Sequence, residues 1–167
     1  MRTENQPRKG LVFVLGRGLA ARLFNIDLIA PAYAWWMEPY PLAKKIGHGD
    51  FGDIYSGIVG DEAIQFLLSV RSGEVRAAFH RPDIGDIDLI WGQGGADGYG
   101  LAKIVEKHPE AIFLLSRSVE GGVVVKELPD RKIIVFYENG QKSVIDLRYK
   151  EKAKTWLVTS YIPRAVK

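Results

Sequence analysis

Cysteine is absent from these 167 residues, which removes disulfides, thiolate nucleophiles and cysteine-ligated zinc together. Histidine is scarce. His48, His80 and His108 stand far apart, without the H-x3-H or nearby carboxylate spacing of a metal site, so no metal is expected. Long unbroken apolar runs are missing too. The nearest candidate, residues 11–37, is interrupted by Arg17, Arg22, Asp27 and Pro31. A charge at mid-bilayer costs about 2.5–3.5 kcal/mol, so no membrane span is expected. A secretory leader fits no better, because the apolar stretch after Arg8 and Lys9 stops at Gly16-Arg17. Nor does one sign of charge dominate: the net formal charge is only +3.

What is present describes a folded domain. A hydrophobic content of 47% in a chain of this length is enough for one buried core. We divide it into residues 1–75, a mostly helical or irregular region integral to the domain, a core at 76–163, and a tail at 164–167. The positive charge gathers late. Residues 131–167 hold nine Lys and Arg against three Asp and Glu, a bias that suits phosphate-rich partners and equally a solvated surface.

Residues 11–29 read as a strand or buried turn followed by a helix. Residues 31–57 read as turn-rich, with aromatics at Tyr33, Trp35, Trp36 and Tyr40. A helix is predicted over 61–69, capped by Asp61, and a strand over 74–80. Residues 84–91 alternate, with Ile87, Leu89 and Trp91 on one face and Ile84, Asp86, Asp88 and Ile90 on the other. After a glycine-dense loop at 92–100 come helices over 101–107 and 111–118. Four β-branched runs follow, at 123–128, 132–137, 142–147 and 155–162. The expected class is α+β, with N-terminal helices packed on a C-terminal four-stranded antiparallel sheet.

Asn139-Gly140 predicts a two-residue hairpin turn. That register sets Arg131 opposite Arg148, Ile133 opposite Asp146 and Tyr137 opposite Lys142. One face then carries Ile134, Phe136, Ile145 and Leu147; the other carries Arg131, Tyr137, Lys142, Asp146 and Arg148. Two neighbouring arginines call for a bridging anion or full solvation. Alternation in the last strand places Thr155, Leu157, Thr159 and Tyr161 on one side, and Trp156, Val158, Ser160 and Ile162 on the other. On the second helix Leu101, Ile104, Val105 and His108 form a stripe that turns His108 towards the sheet. The C-terminal end of a helix favours positive charge, which suits a proton-donating histidine. Lys103 lies about 140° round that helix, and Lys107 is one turn from Lys103. A strand followed by G-x-G-x-x-A at 11–21 imitates a dinucleotide fingerprint. No parallel βαβ series follows it, so no nucleotide cofactor is expected.

Gly85-Asp-Ile-Asp-Leu-Ile-Trp-Gly92 and Gly98-Tyr-Gly-Leu-Ala-Lys-Ile-Val-Glu-Lys-His-Pro109 resemble a phage-associated nuclease family, the barnase/EndoU/colicin/RelE-like group. Gly73-Glu-Val, Arg81-Pro-Asp and Trp156-Leu-Val-Thr-Ser-Tyr161 extend the resemblance over about residues 50–163. It implies a toxin-type endoribonuclease that needs no metal or cofactor and cleaves RNA, tRNA included. The ribose 2′-hydroxyl would attack the adjacent phosphate and leave a 2′,3′-cyclic end. It implies His108, Lys103, Arg131, Thr159 and Tyr161 as catalytic residues, with Arg148, Lys142, Lys107 and Trp91 binding substrate. An immunity or antitoxin protein is the second expected partner, and the expected setting is a phage or delivery into a bacterial cytoplasm. The chain departs from the pattern at Lys103, where many relatives carry a second histidine. A lysine is a poor base unless its proton is made easy to lose. That departure motivates the competing reading, a catalytically weakened RNA-binding or phage structural module of the same fold.

Overall fold

A computed structural model describes residues 42–164, which belong to a compact unit spanning Tyr40–Lys167. The readings made for residues 11–40, including the dinucleotide-like loop, lie outside the described residues. The described elements are β1 (Lys44–Gly49), β2 (Gly52–Ser56), α1 (Gly60–Val70), β3 (Glu74–Arg81) and β4 (Gly85–Ile90). Next come α2 (Gly100–Lys107), a 3₁₀ turn (Pro109–Ala111) and α3 (Leu115–Gly121). β5 (Val123–Leu128), β6 (Arg131–Phe136), β7 (Gln141–Tyr149) and β8 (Lys152–Tyr161) close the chain.

The α+β class holds, but its layout differs from expectation. One eight-stranded sheet runs in the order β1-β2-β3-β4-β8-β7-β6-β5, twice the four strands anticipated. It is mixed, since β2 pairs with β3 and β4 with β8 in parallel. The helices do not precede the sheet but alternate with its strands. The extra hairpin β1–β2 was hidden by glycines that resemble turn residues. Ile54 lies across Gly47 and Gly49, where a Cβ at Gly49 would come within 3.1 Å of its Cδ1, so glycine here makes room within a strand.

Local signals explain the other boundaries. Val59 rather than Asp61 occupies the N-cap of α1, without a side-chain cap; Asp61 and Glu62 sit in the first turn, where the helix dipole favours acids. Helix α2 stops at His108 because Pro109 disfavours helical geometry in the residue before it; His108 has φ −141° and ψ 49°. The following helix therefore starts at Leu115, four residues later than the sequence suggested.

All three helices cover one face of the sheet. Leu67 of α1, Leu101 of α2 and Leu115 of α3 pack with Phe79, Ile87, Ile134, Ile145 and Leu157 in one cluster. Strand alternation turns Glu74, Arg76, Asp88, Asp146 and Arg131 to the opposite, open face. The β6–β7 register differs from the two-residue-turn expectation. Residues 137–140 form a four-residue turn, and Arg131 faces Asp146, Val135 faces Lys142 and Phe136 faces Gln141. The shift is two residues, so each side chain keeps its face, but the arginine pair is replaced by an ion pair.

Strand β8 departs further. Ile145 pairs with Leu157 while Val144 pairs with Thr159, leaving Val158 as a bulge. The extra residue reverses the alternation. Leu157 and Ser160 point into the core, while Trp156 shares the open face with Thr159 and Tyr161, against the simple alternation expected from sequence.

Two charged side chains tie these parts together. Lys154 Nζ lies 2.9 Å from Glu74 Oε2 and 2.8 Å from Asp88 Oδ2, joining β8 to β3 and β4. Arg81, 5% exposed, donates to the carbonyls of Val119 (2.7 Å), Glu120 (3.2 Å) and Gly122 (2.8 Å) at the end of α3, and forms a bidentate pair with Asp83. It supplies both the missing donors and the positive charge that a helix C-terminus favours.

Replacing Arg81 with Met leaves those carbonyls without donors and should cost about 2–4 kcal/mol. The urea midpoint should fall with little change in slope. The Arg81 guanidinium also holds the Asp83 carboxyl below its ordinary value of 3.8, outweighing burial, which acts the other way. A lowered folded value means that this contribution is present at neutral pH and lost as pH falls through it. Asp83→Asn should therefore lower the melting temperature at pH 7 and leave a smaller difference from wild type at pH values below about 3.8.

Candidate active site on the open face

Helix α2 runs alongside β8 in the same direction. Tyr99, just before the helix, meets Trp156 with ring centroids 5.7 Å apart, and His108 at its far end meets Tyr161 at 5.5 Å, tilted by 40°. The alignment arises because β4 registers with β8 only at Asp88 and Trp156, leaving the rest of that edge to the helix. His108 is about a third exposed, and its Nδ1 lies 3.9 Å from Glu110 Oε1.

Register adds two more groups. Tyr161 pairs with Lys142 across the β7–β8 ladder, and Thr159 pairs with Val144. Residues opposite one another share a face at about 4.5–5.5 Å between Cβ atoms. His108, Tyr161, Lys142 and Thr159 thus share the β8 end of the open face. Lys142 is half-buried and makes no ion pair among the described residues. Thr159 Oγ1 is the one buried side-chain polar atom there with no hydrogen-bond partner, an arrangement that requires an explanation. An imidazole, a phenol and an ammonium, with an enclosed and unpartnered hydroxyl beside them, can together transfer a proton and bind an anion.

The remaining candidates are placed differently. Lys103 lies on α2, half-buried and without an ion pair among the described residues. Lys107 is exposed and paired with Glu106 at 2.8 Å. Arg131 sits towards the other end of the face, level with Asp146 and Trp156, four residues and so about 13 Å along β7 from Lys142, the partner of Tyr161. Asp146 grips it in a bidentate pair, with Nη2–Oδ2 at 2.9 Å, and this bond raises the guanidinium pKa above its ordinary value against the opposing effect of burial. Arg148 is exposed, 3.7 Å from Asp130. Trp91 packs against the core. The structure brings His108, Tyr161, Lys142 and Thr159 together and leaves Arg131, Arg148 and Trp91 apart from them.

A buried polar chain supports the site. Ser118 Oγ lies 3.0 Å from Ser143 Oγ, which lies 2.9 Å from Ser160 Oγ. Gln141 Nε2 donates to Ser160 Oγ at 2.9 Å and to the Ala111 carbonyl at 2.8 Å. Gln141 therefore joins the segment after His108 to the residue before Tyr161. None of these four residues was singled out from sequence. Their signal was there, since Gln141 and Ser143 alternate with Ile145 on the face assigned to the core.

Among the described residues no group of three or more His, Asp or Glu is placed to hold a metal ion. No helix there is long and apolar enough to cross a membrane.

Comparison with known proteins gives one finding. Residues 78–166 match the family model described as phage-Barnase-EndoU-ColicinE5/D-RelE like nuclease1. The match covers β4, all of α2 and α3, and the whole β5–β8 half of the sheet, including every candidate residue of the site. No curated protein and no solved structure matches significantly. Because the match takes in more than half of the 167 residues, the chain belongs to this family of nucleases.

Proposed function

We propose that the protein is an endoribonuclease that cleaves RNA by internal transesterification, without a metal ion. The observation that carries this reading is the meeting of His108 with Tyr161, opposite the unpaired Lys142. In the reaction the ribose 2′-oxygen bonds to phosphorus and loses its proton to solvent. The bond to the 5′-oxygen breaks as His108 supplies that oxygen with a proton, leaving a 2′,3′-cyclic phosphate and a 5′-hydroxyl. Lys142 and Lys103 stabilise the negative charge gathering on phosphorus, and Tyr161 hydrogen-bonds its oxygens, joined by Thr159 once substrate uncovers its enclosed hydroxyl. Arg131, Arg148 and Lys107 contact flanking phosphates, and Trp91 holds the strand that leads into α2. The toxin role and an immunity protein belong to this same reading.

Total RNA incubated in EDTA should be cut to products with cyclic ends, and His108→Ala should slow cleavage by about 10²–10⁴-fold, the usual contribution of a positioned acid. Equal cutting by both proteins would sink the assignment. Lys142→Met should lower kcat/KM by about tenfold or more, read as lost transition-state binding; unchanged kinetics would remove Lys142 from the site.

Lys103 favours a second reading, in which the same face binds RNA without cutting it. A half-buried lysine where many relatives carry a histidine supplies charge but is a poor base. That reading predicts salt-dependent RNA binding by wild type with no cleavage under any condition.

A further inference from the structure

A cleft of about 260 Å³ lies beyond the other end of the open face, between the β1–β2 and β7–β8 turns, lined among others by Phe51, Arg76, Tyr149, Lys152 and Lys154. Arg76 is elaborately held there. Strand β3 bulges between Val75 and Phe79, and bulges re-aim side chains. Ala77 adopts φ +50°, a left-handed conformation that costs energy for any residue with a Cβ, and its amide donates to Asp88 Oδ1 at 3.0 Å. Glu74, 2% exposed, accepts from Arg76 Nε at 2.8 Å.

A bulge, a strained alanine and two buried carboxylates converge on one guanidinium. Its Nε is occupied, but its two terminal nitrogens make no hydrogen bond among the described residues. Lys152, exposed and also without an ion pair, lines the same cleft. Both carboxylates of the lining are already matched, Asp50 by Lys150 and Glu74 by Arg76 and Lys154. What remains is a fork of donors and an ammonium, with the rings of Phe51 and Tyr149 beside them. A planar fork and a second cation are the means by which proteins hold phosphate.

We propose that Arg76 and Lys152 form a distal phosphate subsite that binds a phosphodiester of the RNA strand some nucleotides away from the bond at His108. This deepens the endoribonuclease reading and rests on it for the identity of the strand. The cleft and His108 lie at opposite ends of β8. A bound strand would follow the face between them, past Trp156 and Arg131.

The test is fluorescence anisotropy with a labelled, uncleavable 2′-O-methyl oligoribonucleotide long enough to span the face, titrated over a range of potassium chloride. Lys152→Ala and Arg76→Gln should each weaken binding by about tenfold, whatever the base sequence, and each should reduce the salt slope by about 0.7, as loss of one phosphate contact on a single strand does. Circular dichroism checks folding. If Arg76→Gln fails to fold, Lys152→Ala decides alone, since its side chain is exposed and unpaired. An unchanged affinity and slope in folded Lys152→Ala overturns the subsite, even if wild type cuts RNA through His108. A reduced slope with no RNA cleavage by wild type keeps the subsite as a phosphate site and removes the catalytic reading instead.

Discussion

The fold depends on the Lys154 ammonium between Glu74 and Asp88. The sheet consists of two parts, β1–β4 and β5–β8, which register directly only at Asp88 and Trp156. One point of strand pairing is a slender connection between them. Lys154 reinforces it with charge-assisted contacts to both β3 and β4, and the interlocking rings of Phe51, Tyr99, Tyr149 and Trp156 surround the same junction. Buried ion pairs often stabilise no better than apolar packing. Charges here, however, are directional, and direction is what a parallel junction with so little ladder needs.

From that junction the two faces of the sheet divide their tasks. The helix-covered face is apolar except for Arg81, which donates to the end of α3, and the chain from Ser118 to Gln141, whose hydrogen bonds are closed internally. The open face collects polar groups with spare capacity: the Thr159 hydroxyl, the Lys142 ammonium and the outer nitrogens of Arg76. Satisfied polar groups on one side and unsatisfied ones on the other distinguish a supporting surface from a binding surface.

Much of this was legible in the sequence where a local rule governs it. The β4 alternation was read directly from Ile87, Asp88 and Leu89, and the His108-Pro109 helix end from the constraint that proline places on its predecessor. The family was legible from the glycine, tryptophan and histidine pattern between Gly85 and Pro109. Non-local features were not legible. Nothing near Asn139-Gly140 distinguishes a two-residue from a four-residue turn, so the Arg131–Asp146 pair could not be foreseen. The β1–β2 hairpin stayed hidden because glycine signals both turn and close packing, and only Ile54 in place decides between them. Arg76 escaped notice because its role comes from Glu74 and Asp88 holding it, which is a property of the assembled sheet.

The Val158 bulge has a wider consequence. It acts on side-chain facing as a frameshift acts on codons. The hydroxyl of Thr159 and the ring of Tyr161 reach the open face only because one extra residue precedes them, while Ser160 reaches Ser143 and Gln141 for the same reason. Substitutions along this stretch alter one contact at a time. Loss or gain of a single residue would exchange the entire set, sending the ring inward and the serine outward. The facing of this segment therefore depends more on its length than on any one of its side chains.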